Sequence, residues 1–426
     1  MAVPFVTLSL ARRAERFPER TAVVDISEER LYAPAETIHE NRVSYGELSA
    51  MATRTAEHLA ALGIEAGDVV CLLTRNRVAS LAVLFACRRL GATFFPVSHW
   101  LTPASVERPF DEIEPDLVVS EAAQRDLVRS IPFDRSETLE ELAEADRDTV
   151  PDPDERDRES ETDAPLLLLH GGDGRPIAGY SASALEWNCI SALVAWGLSS
   201  ADVVPLTPPL SSPDGLVRVA LSTLYVGGTL LLDRAFDPGD TLTAIAEEEA
   251  TLLAGRETAI RDLAAESGFD DAVDSLDRVI VEGAVDDDTL EAYREQGIPV
   301  ARAAGRLECP TAFSQSFAVE TDVDIGGTST VADGVGTPVP DCRARLVDES
   351  GTVLEGATEG RLELSGPVVA DGYVSAAGTD DENWYASAEV QSDDYDESGD
   401  RGRFADGWFE TDDRYRRDED GIYRPQ

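Results

Sequence analysis

Residues 44–98 read "SYGELSAMATRTAEHLAALGIEAGDVVCLLTRNRVASLAVLFACRRLGATFFPVS", and this stretch decides the fold. Leu48, Met51, Ala52, Ala56, Leu59 and Leu62 recur at helical spacing and stop at Gly63, a residue suited to a helix C-terminus. "DVVCLLT" (68–74) follows as a short apolar strand, "VASLAVLFACRRLG" (78–91) as a buried helix and "ATFFPVS" (92–98) as a second strand. "PDLVVS" (115–120) repeats the pattern. Strands separated by helices of this length predict a parallel sheet covered on both faces.

Working outward, the segment from Glu137 to Ala164 is acidic and almost free of apolar residues after Leu142, which predicts a solvated linker or long loop. The alternation resumes with "APLLLLHGG" (164–172). It continues through the helix pattern "SALEWNCISALVAWGL" (183–198), the strand "GGTLLLD" (227–233), the helix "DTLTAIAEEEATLLAG" (240–255), the strand "DRVIVEG" (277–283) and the helix "DDDTLEAYREQG" (286–297). From about Val335 short strands and turns take over. We therefore expect an α/β chain of three parts: residues 1–150 as a first α/β subdomain ending in the acidic linker, 164–330 as a second, and 331–426 as a small β-rich subdomain.

A chain of 426 residues with 42% apolar content can bury a substantial core. Its 83 acidic and 36 basic residues give a net charge of −47, so nucleic acid and anionic membrane surfaces are poor partners. Every basic residue is an arginine, and no lysine occurs anywhere. Such a surface suits concentrated salt, where charges are screened within about 3 Å at 1 M, and points to a halophilic cytoplasm. The absence of lysine also means that no step needing a lysine side chain is completed by this polypeptide alone. The five cysteines form no CxxC pair, which predicts buried reduced thiols. The arginines of "MAVPFVTLSLARRAER" follow a short apolar run, the reverse of a secretory signal, and no run approaches the roughly 18 apolar residues of a membrane span.

Several stretches together resemble the adenylate-forming (AMP-binding) superfamily, which includes acyl-CoA synthetases. They are "ARRAERFPERTAVVD" (11–25), residues 44–98, "LDRVIVEGAVDDDTLEAYREQGIPV" (276–300), "GVGTPVPDCRARLVDESGTVLEGATEGRLELSGPVVADGY" (334–373) and "DGWFETDDRYRRDEDGIY" (406–423). The resemblance implies two flavodoxin-like parallel-sheet subdomains plus a small distorted β-barrel, with ATP and an organic acid bound where they meet. It implies a reaction too: the carboxylate attacks the α-phosphate of ATP, pyrophosphate leaves, and the acyl group passes from the adenylate to CoA or another thiol. In such enzymes a C-terminal lid rotates over the site and supplies a lysine. Here the sequence stops at Gln426, before the hinge would begin, so a separately encoded lid is an expected partner.

The resemblance also nominates site residues. In "HGGDGRPIAGY" (170–180), Gly171, Gly174 and Pro176 keep the phosphate loop's places, while Gly172, Asp173 and Ile177 stand where two hydroxyls and a lysine are usual. Backbone amides at Gly171 and Gly174 remain able to face an anion. Asp173 opposes one, since a unit charge about 4 Å from a phosphate costs roughly 4 kcal/mol at an effective dielectric near 20. Gly283 and Ala284 are expected along the adenine. In "AAGRLECP" (303–310), Gly305 and Glu308 match, with Glu308 as a magnesium ligand, while Ala304 and Leu307 replace a stacking ring and a hydroxyl. Asp413 is expected at the ribose diol, beside Asp412 where a glycine is usual. Between Pro205 and Leu216 the usual aromatic-histidine pair is missing, and Ser211 and Ser212 read as loop residues.

Three functions follow. The first is an ATP-dependent acid–thiol ligase with impaired chemistry, in which Arg175 or Arg306 partly replaces the lysines. The second is a noncatalytic homologue that binds a nucleotide, an acyl-CoA or a protein, and the third is half of a split ligase. The expected ligands are ATP or AMP, magnesium, CoA and a small carboxylic acid.

Overall fold

Ser44 opens the first long helix, Tyr45–Ala61, with a reciprocal cap: its Oγ accepts from the Glu47 amide at 3.2 Å, and Glu47 Oε2 accepts from the Ser44 amide at 2.8 Å. Helix Val78–Leu90 is apolar on every face and buried from Val78 to Cys87, as a helix between other layers must be. It ends at Gly91, whose φ of +72° a side chain would oppose. The computed structural model describes residues 8–27, 41–131, 133, 135–144, 164–283, 286–317, 334–374 and 402–426.

Three sheets organise these residues. The first has seven strands in the order 372–373, 177–180, 167–170, 93–98, 69–74, 117–120 and 136–138. Its pairings from 167–170 through 136–138 are parallel, and the two outermost strands on the other side run antiparallel. The second has nine strands in the order 337–338, 309–314, 300–306, 278–282, 252–256, 203–206, 229–232, 21–25 and 42–44, parallel through its centre. The third is a six-stranded antiparallel sheet built from 343–347, 353–354, 358–365, 403–405, 408–417 and 423–425. The two α/β units and the smaller β-rich unit are thus present.

The sheets draw on the chain less locally than the three sequence segments do. Thr21–Asp25 and Arg42–Ser44 pair in the second sheet, Leu167–His170 and Ile177–Tyr180 in the first, and Gly372–Tyr373 returns to the first from far downstream. Strand pairing over more than 100 residues leaves no local signal. The linker also starts later than expected at Glu137: Ser136–Thr138 is an edge strand and Leu139–Glu144 a helix, because Leu139 and Leu142 share one buried face. The remainder of that acidic segment, 145–163, lies outside the described residues. The five cysteines are free and buried, and among the described residues no helix is long and apolar enough to cross a membrane.

The parallel strands of both α/β sheets end close together, the usual place for ligands in such folds. Asn76, just beyond strand Val69–Thr74, ties them: its Oδ1 accepts from the Leu210 amide at 2.8 Å and its amide donates to the Arg234 carbonyl at 3.2 Å. Beneath it Arg77 Nη2 donates to Glu121 Oε1 at 2.5 Å, and Thr74 Oγ1 to Glu121 Oε2 at 3.0 Å, with both charged side chains buried. Burial pushes the Glu121 carboxyl up, but Arg77 and Thr74 together outweigh it and hold the group below the usual glutamate range. The stabilisation is therefore present above the ordinary carboxylate pKa and lost as pH falls through the depressed one. Arg77→Met should cost about 3 kcal/mol in urea unfolding at fixed salt, because it strands a buried carboxylate, and should remove this acid sensitivity. A loss below about 1 kcal/mol would show the pair to be dispensable.

Candidate functional site

The sequence "LLLLHGGDGRPIAGY" forms a β-hairpin, not a strand-to-helix turn: Leu167–His170 pairs antiparallel with Ile177–Tyr180, and His170 lies opposite Ile177. Helix Ala182–Trp196 begins only after the second strand. The glycines in the turn are required by the chain's own backbone. A Cβ on Gly171 would collide with the Arg175 carbonyl, and Gly174, at φ +101°, would bring one within 2.9 Å of Pro109. Three amides are already engaged, since Gly171 N donates to Pro176 O at 2.9 Å, Gly174 N to Gly171 O at 3.0 Å and Arg175 N to Asp173 Oδ1 at 3.3 Å.

Two guanidinium groups flank this turn, and both face carboxylates of their own chain. Arg108 Nη1 meets Asp173 Oδ2 at 2.9 Å. Arg175 meets Asp111 at 2.6 Å and Glu112 at 3.4 Å. Two cations thus stand against three anions. These pairs are largely exposed and individually weak, so the net negative sign matters more than any single contact. His170 adds no positive charge. It is buried, burial lowers its pKa, its Nε2 accepts from the Ser98 amide at 3.0 Å and its Nδ1 faces the Gly171 carbonyl at 2.6 Å. It therefore acts as a neutral brace for the turn, a role its position at a strand end leaves invisible in the sequence.

The far end of the hairpin reaches the second group of nominated residues. Strands Val300–Arg306 and Cys309–Ser314 turn through Leu307 and Glu308. Tyr180 OH donates to the Leu307 carbonyl, and Tyr373 OH to Glu308 Oε1 at 2.5 Å. From the third sheet, Asp413 takes Arg306 Nη1 in an ion pair, while Arg306 Nε lies 3.4 Å from Glu308 Oε2. Glu308 and Asp413 are therefore brought together, with Arg306 between them. Both tyrosines escape the sequence reading, because neither lies within the motif that marks the corner.

Gly305 serves the chain itself at this corner. A Cβ there would strike the Pro310 carbonyl and approach Arg218 Nη2 to 2.7 Å, and the Gly305 amide donates to Glu282 Oε1 at 3.1 Å. Arg218 lies on the π-helix Pro213–Leu221, which Ser212 caps by accepting from the Gly215 amide at 3.1 Å; Ser212 is thus a capping residue, not merely part of a loop. The buried Arg218 binds Asp214 at 2.6 Å and Glu282 at 2.9 Å, while Arg256 binds the other Asp214 oxygen at 2.7 Å. Burial raises the Glu282 pKa. For Asp214, burial acts in the same direction but Arg218 and Arg256 outweigh it, and the value falls. Gly283 follows Glu282 at φ +101°, where a Cβ would sit 3.0 Å from Glu257; Ala284 lies outside the described residues.

Magnesium fits this corner poorly. Glu308 is buried with its oxygens facing a tyrosine hydroxyl and a guanidinium, and among the described residues no group of three or more His, Cys, Asp or Glu side chains converges on a metal position. A cavity of about 420 Å³ opens nearby at the ends of the parallel strands, lined by Asn76, His99, Trp100, Arg234, Phe236 and Arg256 among others. Trp100 is 70% exposed there and lies 5.5 Å from the His99 ring.

A model of the AMP-binding enzyme family matches residues 10–374. The chain belongs to that family. It is 29% identical over 378 residues to a feruloyl-CoA synthase of Amycolatopsis sp., covering 87% of this chain and 73% of the relative. It is 28% identical over 403 residues to an indoleacetate–CoA ligase of Aromatoleum aromaticum, with coverages of 90% and 73%. In fold it is similar to a doubly substituted o-succinylbenzoate CoA synthetase of Bacillus subtilis bound to a product analogue. The TM-score is 0.78 and the identity 19%, over 99% of this chain and 78% of that one. A further structure of that synthetase, holding ATP and a magnesium ion, aligns at a TM-score of 0.74 and 20% identity, over 98% of this chain and 78% of that one. Both of these relatives are thus CoA synthases or ligases by name.

The two acids of the network beneath Gly305 should respond unequally to neutralisation. Asp214→Asn should cost about 3 kcal/mol in urea unfolding, because Arg218 and Arg256 lose their shared anion. Glu282→Gln should cost about 1 kcal/mol, because burial opposes its charged form and Asp214 still holds Arg218. Equal losses would contradict the assignment of charge within the network.

Proposed function

We propose that this AMP-binding family member is an acyl-CoA synthetase-like protein that binds a carboxylic acid or its CoA thioester and has weak adenylation chemistry of its own. One observation carries the reading: the guanidiniums at the nominated phosphate positions are outnumbered by carboxylates of the same chain. Two arginines oppose three acids at the hairpin turn, and Arg306 lies between Glu308 and Asp413. Adenylyl transfer moves negative charge onto leaving pyrophosphate, and positioned cations are what stabilise that charge. This chain has no lysine to add, and several of the turn's amides already donate to the turn itself.

A second reading, a noncatalytic homologue that holds an acyl-CoA or nucleotide, gains support from the 420 Å³ cavity. Trp100 and Phe236 offer ring faces for a flat base or an acyl chain, and Arg234 and Arg256 are lining cations. Magnesium and ATP enter either reading as ligands of the family. A lid domain carrying a lysine would supply the cation that this reading finds lacking. The acidic, lysine-free surface supports work in the cytoplasm of a salt-rich cell.

ATP–pyrophosphate exchange in molar KCl, with aromatic and aliphatic carboxylic acids, tests the proposal. Exchange should rise only slightly above background for any acid, while an acyl-CoA should bind in calorimetry; strong exchange from this chain alone would refute it. Its unfolding midpoint should rise by about 10 °C or more between 0.1 and 3 M KCl as self-repulsion among 83 acidic residues is screened. A flat or falling midpoint would remove the halophilic assignment.

A further inference from the structure

A guanidinium has five N–H donors, and Arg306 directs its Nε at Glu308 and its Nη1 at Asp413. Its side chain remains 22% exposed, so other donors are open to a ligand, whereas the Glu308 side chain is 5% exposed. Magnesium demands near-octahedral oxygen ligands at about 2.0–2.1 Å. Glu308 meets that demand badly, with Tyr373 OH at 2.5 Å on one oxygen and a fixed positive charge beside the other. A dication placed there would confront the guanidinium at close range, and among the described residues no third carboxylate or imidazole joins the corner to compensate.

We propose that Arg306, held between Glu308 and Asp413, is a tethered counter-ion that takes the place a divalent metal would need beside Glu308, so that this corner favours a metal-free nucleoside monophosphate over a metal–triphosphate. The inference rests on the reading of the chain as a nucleotide- or acyl-binding scaffold. The Nη2 of Arg306 makes neither of these two contacts and is the donor that faces a phosphate. Corner and turn are both net negative, so each further phosphate charge weakens binding and a monophosphate is opposed least. In metal-dependent sites the cation comes with the nucleotide; here it is part of the chain, and its position is fixed by two carboxylates from different sheets.

The test has two arms that fail independently. Terbium(III) luminescence, sensitised by the protein's tyrosines and tryptophans in molar KCl, is compared among wild type, Glu308→Gln, Arg306→Met and the double variant, so that the difference made by Glu308 reports a metal there, with unfolding midpoints confirming that each is folded. Wild type and Glu308→Gln should be indistinguishable. Arg306→Met should bind terbium about tenfold more tightly, and the double variant should lose that gain. Terbium binding by wild type that Glu308→Gln abolishes would overturn the proposal, and this comparison stands even if Arg306→Met does not fold. In the second arm, wild-type affinity for AMP should be the same within about twofold with excess magnesium or with EDTA, and should exceed that for magnesium–ATP. A tenfold loss in EDTA would also overturn it. If no nucleotide binds at all, the broader nucleotide-binding reading fails, while the terbium arm still decides the role of Arg306.

Discussion

Three sheets meet at the short turn through Leu307 and Glu308, and the rest of the site depends on how that meeting is held. Tyr180 and Tyr373 come from the first sheet, Arg306 and Glu308 from the second, and Asp413 from the third. Each contact is polar and partly or wholly buried, so each restricts position more than it stabilises. Gly305 permits the close approach from below, where its missing side chain leaves room for Arg218. The groups of this corner are positioned by contacts within the chain itself. The identity of its charges is therefore decisive.

Those charges are arranged against a polyanion. At the hairpin turn the acids outnumber the arginines, and at the corner the only cation among Arg306, Glu308 and Asp413 is shared by two carboxylates. A chain with net charge −47 has little positive potential elsewhere to compensate. Molar salt weakens the exposed pairs strongly and the partly buried corner much less. Salt therefore separates the turn, where charge is adjustable, from the corner, where it is fixed.

Much of the fold was legible in residues 44–98, because helical and strand periods alternate there without interruption and burial follows them. The hairpin at 167–180 was harder: "IAGY" is too short to separate from a turn, and its pairing with Tyr373 spans almost 200 residues. Within the site, the sequence drew attention to Glu308, Asp413 and Gly305, which the fold does place at one corner. It also raised Arg175 and Arg306 as replacements for lysine, and both turn out to face carboxylates. The Arg218–Asp214–Glu282–Arg256 network had no sequence signature, since only Asp214 and Arg218 share a helix while Arg256 and Glu282 end two different strands, and only burial reveals their charges as a group. Motif spacing locates backbone; it does not report which ions a side chain has already met.

The measurement that bears most directly on this account is calorimetric titration of ATP into the wild-type chain and into an Asp111→Asn/Asp173→Asn variant, both in molar KCl. If the cations of the hairpin turn are outnumbered by their own neighbours, removing two of those acids should tighten triphosphate binding by about tenfold over a weak wild-type baseline. Micromolar wild-type affinity that the two substitutions leave unchanged would contradict it.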